Sequence, residues 1–129
     1  MYQIGEVAKR LNISADTLRY YEKIRLLPPI SRSASGLRIY CDKDLSRLKF
    51  IRRAQRMGFS LEEIGQLLSF REAPQQAKPE IRQLAGEKLT DIEEHLRELQ
   101  SLRNELQLLV NLCAGSKDGC PIIEGLEDD

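Results

Sequence analysis

The chain reads as a mainly α-helical protein. A basic N-terminal half of short helices carries a small two-stranded wing, and one long helix follows that dimerises as an intersubunit coiled coil. Three observations predict this. Apolar residues recur at helical spacing in short blocks up to about residue 70, interrupted at Asn12, Pro28-Pro29 and Gly58. From Pro79 to Leu112 nothing stronger than Gly86 interrupts the pattern. Charge divides the same way: residues 1–71 hold 14 Lys or Arg against 7 Asp or Glu, a net +7, and residues 72–129 hold 6 against 13, a net −7. The formal charge of zero therefore conceals a half with the character of a polyanion binder.

The first element is a pair of short helices. Ile4, Val7, Ala8 and Leu11 mark one helix, Asn12-Ile13 break it, and Ser14 is placed as the N-cap of a second helix over Ala15 to Lys23. In that second helix Leu18 and Tyr21 share a face, while Asp16, Arg19, Tyr20 and Lys23 lie off it, free to touch a partner. The stretch Arg32-Ser33-Ala34-Ser35-Gly36-Leu37-Arg38-Ile39-Tyr40, following Pro28-Pro29, reads as two short strands about a Ser-Gly turn, with an arginine at either end. Asp42 begins a third helix, marked by Leu45, Leu48 and Ile51, and Gly58 ends it. Ser60-Leu61-Glu62-Glu63 has the spacing of a capping box and opens a fourth, with Ile64, Leu67 and Leu68 on its apolar stripe.

The long helix begins at Pro79, a residue suited to a first turn. Ala85, Leu89, Ile92, Leu96 and Leu99 step by 4, 3, 4, 3, and Leu99, Leu102, Leu106, Leu109 and Cys113 by 3, 4, 3, 4, a seam that skips phase once. At about 1.5 Å per residue such a helix is roughly 50 Å long, too long to pack wholly on the small module before it, so its seam is read as a homodimer contact. The resulting domains are 1–71, a winged helix-turn-helix; 72–112, a linker and dimerisation helix; and 113–129, a loop and tail.

Other classes are excluded by what the chain lacks. Its 129 residues are material for about one domain and not for a multidomain enzyme. No run approaches the roughly 18 apolar residues of a membrane span, and the beginning has neither a basic leader nor an apolar stretch, so a cytoplasmic protein without membrane contact is expected. A single His, no Gly-rich phosphate loop and no nucleophile with a base at recognisable spacing argue against catalysis.

Taken together, Thr17-Leu18-Arg19-Tyr20-Tyr21-Glu22, Gly36-Leu37-Arg38-Ile39-Tyr40, Leu48-Lys49-Phe50-Ile51-Arg52-Arg53-Ala54 and Gly58-Phe59-Ser60-Leu61-Glu62-Glu63-Ile64 resemble the MerR family of transcription regulators. The resemblance runs from Ile4 to about Ile123. It implies a winged-helix dimer on a dyad-symmetric operator in double-stranded promoter DNA, acting with RNA polymerase and activating by distorting the DNA when an effector binds. The residue chemistry agrees. Arg19 and Tyr20 are placed to enter the major groove, Arg32 and Arg38 to grip phosphate from the wing, and Arg52 and Arg53 to add contacts from the third helix. This sequence has Leu37 where an aromatic residue is usual in the family, and Cys41 where a small hydroxyl residue usually starts the third helix.

The effector signal lies in Cys113-Ala114-Gly115-Ser116-Lys117-Asp118-Gly119-Cys120. Two thiolates across a Gly-rich loop select soft ions, Cu(I) and its congeners or Zn(II), and two sulfurs suit a linear monovalent ion better than tetrahedral zinc, which takes four ligands. The stretch also resembles the metal loop of the copper-efflux branch of the family, which implies Cu(I), Ag(I) or Au(I) on Cys113 and Cys120. At the partner-subunit position near the start of the long helix, where that branch usually has Ser, this chain has Lys78. A bis-thiolate complex of a +1 ion carries a charge of −1, and Lys78 is expected to compensate it across the dimer. His95, among Glu93, Glu94, Arg97 and Glu98, is read as solvated and not as a ligand. The competing readings are a regulator of the same kind sensing a divalent soft metal or thiol oxidation, and a coiled-coil adaptor whose basic half binds an acidic protein.

Overall fold

The computed structural model describes residues 1–114, and the chain divides into two compact units, Met1–Ala85 and Gly86–Asp129. The first unit contains β1 (Tyr2–Gln3), α1 (Ile4–Leu11), α2 (Ala15–Lys23), β2 (Ser31–Arg32), β3 (Arg38–Tyr40), α3 (Asp42–Arg56), α4 (Leu61–Glu72) and a 3-10 turn at Pro74–Gln76. The start of α5 (Pro79–Ala114) also belongs to it, and the remainder of that helix to the second unit.

The joint between α1 and α2 is as tight as the sequence suggests. Asn12 takes the left-handed conformation at φ 53° that asparagine tolerates, and the Ile13 N–H donates back to the Ala8 carbonyl at 3.0 Å. Two residues later the Ser14 hydroxyl accepts the Thr17 N–H at 3.0 Å, capping α2. At the other end of α2 the chain reverses through Arg25, at φ 61°. The Leu26 N–H reaches the Tyr21 carbonyl at 2.9 Å and the Arg25 N–H reaches that of Glu22 at 3.1 Å, a Schellman arrangement with arginine where glycine is usual.

The expected two-stranded wing is part of a three-stranded antiparallel sheet of order β1-β3-β2. Arg32 stands opposite Arg38 and Ser31 opposite Ile39, while Tyr2 and Gln3 pair with Tyr40 and Ile39. The third strand is a correction to the sequence reading: two residues are too few to show an alternating pattern. Gly36, at φ 84°, makes the wing turn, donating to the Ser33 carbonyl at 2.9 Å.

Cys41 is the extended N-cap residue of α3, its backbone N–H bound to Asp44 Oδ2 at 3.0 Å. The capping box of α4 is present in both directions, Glu63 N–H to Ser60 Oγ at 3.1 Å and Ser60 N–H to Glu63 Oε1 at 2.9 Å. The core is a single cluster in which Val7, Leu18, Tyr40, Leu48, Ile51 and Ile64 are fully buried, with Tyr21 and Ile13 beside them.

α5 is 36 residues long and contains no buried residue. On its seam Leu89, Leu96, Leu99, Leu102 and Leu106 are exposed, and near its end so are Leu108, Val110 and Leu112. No helix among the described residues is long and apolar enough to cross a membrane.

Two consequences concern stability. Left-handed backbone costs a non-glycine residue about 1–2 kcal/mol, partly offset by the greater freedom glycine has when unfolded, so Arg25→Gly should stabilise the chain by about 0.5–1 kcal/mol in urea denaturation. The Tyr40 hydroxyl is buried without a hydrogen-bond partner, and burial, then the nearby Glu22 carboxylate, raises its pKa above 10.0. A raised folded-state pKa favours the fold while the phenol is protonated and withdraws that support as pH climbs through and beyond 10.0. Tyr40→Phe should therefore keep neutral-pH stability or gain up to about 1 kcal/mol, and should flatten the alkaline decline in Tm.

Candidate nucleic-acid interface and metal loop

The phase of α2 decides which side chains reach outward. Leu18 and Tyr21 are buried, at 0% and 2% exposure, and Tyr21 is further anchored by its hydroxyl donating to Gln55 Oε1 on α3 at 3.0 Å. One residue on from each buried position lie Arg19 and Glu22, and Tyr20 between them is half exposed. The Arg19 guanidinium donates to Asp16 Oδ1 at 2.9 Å, but both partners are open to water. Such a pair is worth little and yields readily to a phosphate or a base edge.

The wing arginines are held differently. Arg38 Nε donates to Glu22 Oε2 at 2.6 Å, an ion pair between mostly covered side chains. Arg32 donates to the Gly36 carbonyl at 3.1 Å and lies 3.9 Å from the other oxygen of Glu22. Of the adjacent arginines Arg52 and Arg53 on α3, Arg53 is exposed. Arg52 reaches the Asn12 carbonyl at 3.4 Å and Gln55 Oε1 at 3.5 Å, with its Nε buried and unpartnered. Arg52 thus braces the joint between α1 and α2, a structural task that the run of arginines in sequence did not reveal. Glu22 carries no signal in sequence either, because its value depends on Arg32 and Arg38 arriving from a distant strand pair.

At the other end of the chain Cys113 occupies the last turn of α5. Cys120 and the residues around it lie outside the described residues. Among the described residues no group of three or more His, Cys, Asp or Glu could hold a metal ion, so none supplies a four-ligand set. His95 is exposed on α5, about five turns before Cys113. Cys41 is a free cysteine whose thiol donates to Asp44 Oδ2 at 3.2 Å, consistent with a helix-start role. Lys78 is exposed immediately before α5, its carbonyl accepting the Ile81 and Arg82 N–H groups at 3.0 and 3.1 Å. Glu80, in the first turn, is the negative charge that suits that helix start.

Residues 2–70 match the model of the MerR HTH family regulatory proteins, and residues 45–109 match the model described as MerR, DNA binding. The HTH-type transcriptional regulator ZntR of Escherichia coli K12 is 43% identical over 131 residues, covering 98% of this chain and 93% of the relative. CueR of Escherichia coli O6:H1 is 40% identical over 124 residues, covering 95% and 92%. Among solved structures, the transcription regulator PbrR691 of Ralstonia metallidurans CH34 in complex with lead(II) shares 34% identity with a TM-score of 0.59, covering 98% of this chain and 99% of that one. With a helix-turn-helix, an arginine-bearing wing and a long apolar-seamed helix in the same order, this chain belongs to the MerR family of DNA-binding transcription regulators and is not an enzyme.

Proposed function

We propose that the protein is a metal-responsive transcription activator that reads promoter DNA as a homodimer, distorts it, and senses Cu(I), Ag(I) or Au(I) through Cys113 and Cys120. The observation that carries the reading is α2, whose buried Leu18 and Tyr21 leave Arg19 and Tyr20 facing outward beside an arginine-bearing wing. Arg19 takes a base edge or phosphate and Tyr20 donates its hydroxyl to phosphate. Arg32, Arg38, Arg52 and Arg53 contribute phosphate contacts, which orient the protein on the duplex without reading sequence. RNA polymerase is the partner through which the distorted promoter is used.

The metal assignment rests on donor chemistry. Two thiolates complete the coordination of a linear monovalent ion while leaving a tetrahedral divalent one short of ligands. When bound, the ion would supply a cross-link between the two thiolates. Lys78 is assigned to balance the resulting −1 charge from the partner chain. Both sulfurs must be reduced for this, and thiol oxidation at the same two cysteines is a second reading. A divalent soft metal is a third, favoured by the lead(II) held by a regulator 34% identical to this chain. The family match decides against the coiled-coil adaptor.

Binding to a promoter duplex should weaken linearly in log–log form with salt, and Arg19→Gln should weaken it by about 5- to 150-fold, the worth of about 1–3 kcal/mol for a base contact. Fluorescence anisotropy measures both, and an Arg19→Gln variant with wild-type affinity would remove α2 from the interface. For the effector, anaerobic titration of the reduced protein with Cu(I) against a competing chelator should show one ion per Cys113/Cys120 pair. Cys113→Ser and Cys120→Ser should each abolish it; binding retained in either variant would transfer the effector role to one of the other two chemistries.

A further inference from the structure

A carboxylate sits in the middle of the surface assigned to DNA. Glu22 lies on the last turn of α2, one residue after buried Tyr21 and two after exposed Tyr20, with its side chain 20% exposed. Its position calls for an explanation, because a negative charge beside phosphate-binding arginines lowers affinity for any duplex, whatever its sequence.

The wing supplies the explanation. Arg32 and Arg38 are direct partners in the antiparallel β2–β3 pair, and like charges placed directly opposite destabilise a two-stranded ribbon. Glu22 gives one oxygen to each: Oε2 accepts from Arg38 Nε at 2.6 Å, and Oε1 lies 3.9 Å from a terminal nitrogen of Arg32. The pair with Arg38 is mostly shielded from water, with 24% of the Arg38 side chain exposed, so it is stronger than the open Arg19–Asp16 pair. It also uses only the inner N–H of Arg38. The four N–H groups on the terminal nitrogens remain for a phosphate, in an orientation set by the carboxylate.

We propose that Glu22 is a positioning residue for DNA recognition: it pins the wing to the end of the recognition helix, so that the groove contacts of α2 and the phosphate contacts of β2–β3 are presented at one fixed separation. It does not touch DNA itself. Its charge lowers sequence-independent affinity, and the fixed separation raises discrimination, since phosphate contacts hold a protein in register only when their spacing from the base contacts is set. This proposal rests on the reading of α2 and the wing as the DNA interface.

The test uses the full-length reduced protein, a duplex enriched by the wild type from a random pool, and a scrambled duplex of equal length. Glu22→Gln keeps one acceptor oxygen and cannot serve two arginines; Glu22→Ala serves neither. Both variants should bind the scrambled duplex more tightly. Their ratio of enriched to scrambled affinity should fall at least tenfold, more in Glu22→Ala. Their log–log salt slope should steepen by about 0.9, because the carboxylate no longer cancels one of the wing's positive charges at the phosphates. Arg38→Gln should lower the ratio likewise, and adding Glu22→Gln to it should lower it little further. Thermal unfolding identifies any variant that does not fold, and Glu22→Gln, the gentler change, then decides. A folded Glu22→Gln variant with a ratio within twofold of wild type and an unchanged slope overturns the positioning role while the DNA reading stands. A wild-type protein that does not distinguish the two duplexes overturns both.

Discussion

The rotational setting of α2 depends on the burial of Leu18 and Tyr21, and the outward chemistry of the first unit depends on that setting. Nine residues make only two and a half turns, so two buried anchors three residues apart leave the helix one available phase. Burial of side chains this large contributes about 1.5–3 kcal/mol each, more than any of the surface pairs on the same helix. Tyr21 adds direction, because its hydroxyl bond to Gln55 fixes the helix against α3 in azimuth as well as in depth. A one-residue slip would bury Arg19 and Glu22 and expose the anchors. The polar face is therefore held in place by apolar packing behind it.

A different constraint governs α5. A helix with no buried residue and exposed leucines along a four-three seam leaves an apolar stripe open to water. Covering the remaining half of Leu89, Leu96, Leu99, Leu102 and Leu106 would contribute on the order of 1 kcal/mol for each leucine, so two chains together gain on the order of 10 kcal/mol. That is the scale of the freedom two molecules lose on associating. The seam by itself roughly breaks even, and the apolar residues off it, Leu108, Val110 and Leu112, supply the margin if they too are covered. For the proposed homodimer, this arithmetic favours a contact that extends beyond a simple two-stranded seam near the end of the helix.

What could be read from the sequence follows how local each cause is. The caps at Ser14 and Ser60 and the turns at Asn12, Gly36 and Gly58 are written in adjacent residues, and all five appear as expected. The anchor pair Leu18 and Tyr21 and the outward Arg19 and Tyr20 were legible from helical period alone. β1 was not, since Tyr2 and Gln3 become a strand only because β3 offers them a ladder. Nor was the division of labour among the arginines. Arg52 bracing Asn12 forty residues away, and Glu22 gathering Arg32 and Arg38, are consequences of tertiary approach that no spacing announces. The turn at Arg25 was hidden for a related reason: the left-handed position is set by the Schellman hydrogen bonds, and the sequence there lacks the glycine that usually signals it.

An effector held at the end of α5 acts on DNA only if it binds two arrangements of the protein with different affinity, and the difference must be carried by elements that have two arrangements. A continuous, well-formed helix is a poor candidate for the changing part, which directs attention to where α5 is weakest. Gly86 is that place. Glycine inside a helix costs about 1 kcal/mol relative to alanine, and here no close packing requires it, since a Cβ at Gly86 would meet nothing within 4 Å. Four residues on, the Thr90 hydroxyl donates to the Gly86 carbonyl at 3.1 Å, a back-bond of the kind that bends helices. The helix that links the basic half of the chain to Cys113 thus has its lowest helix propensity at Gly86, and the roughly 1 kcal/mol forgone there is at the low end of the scale of a coupling free energy.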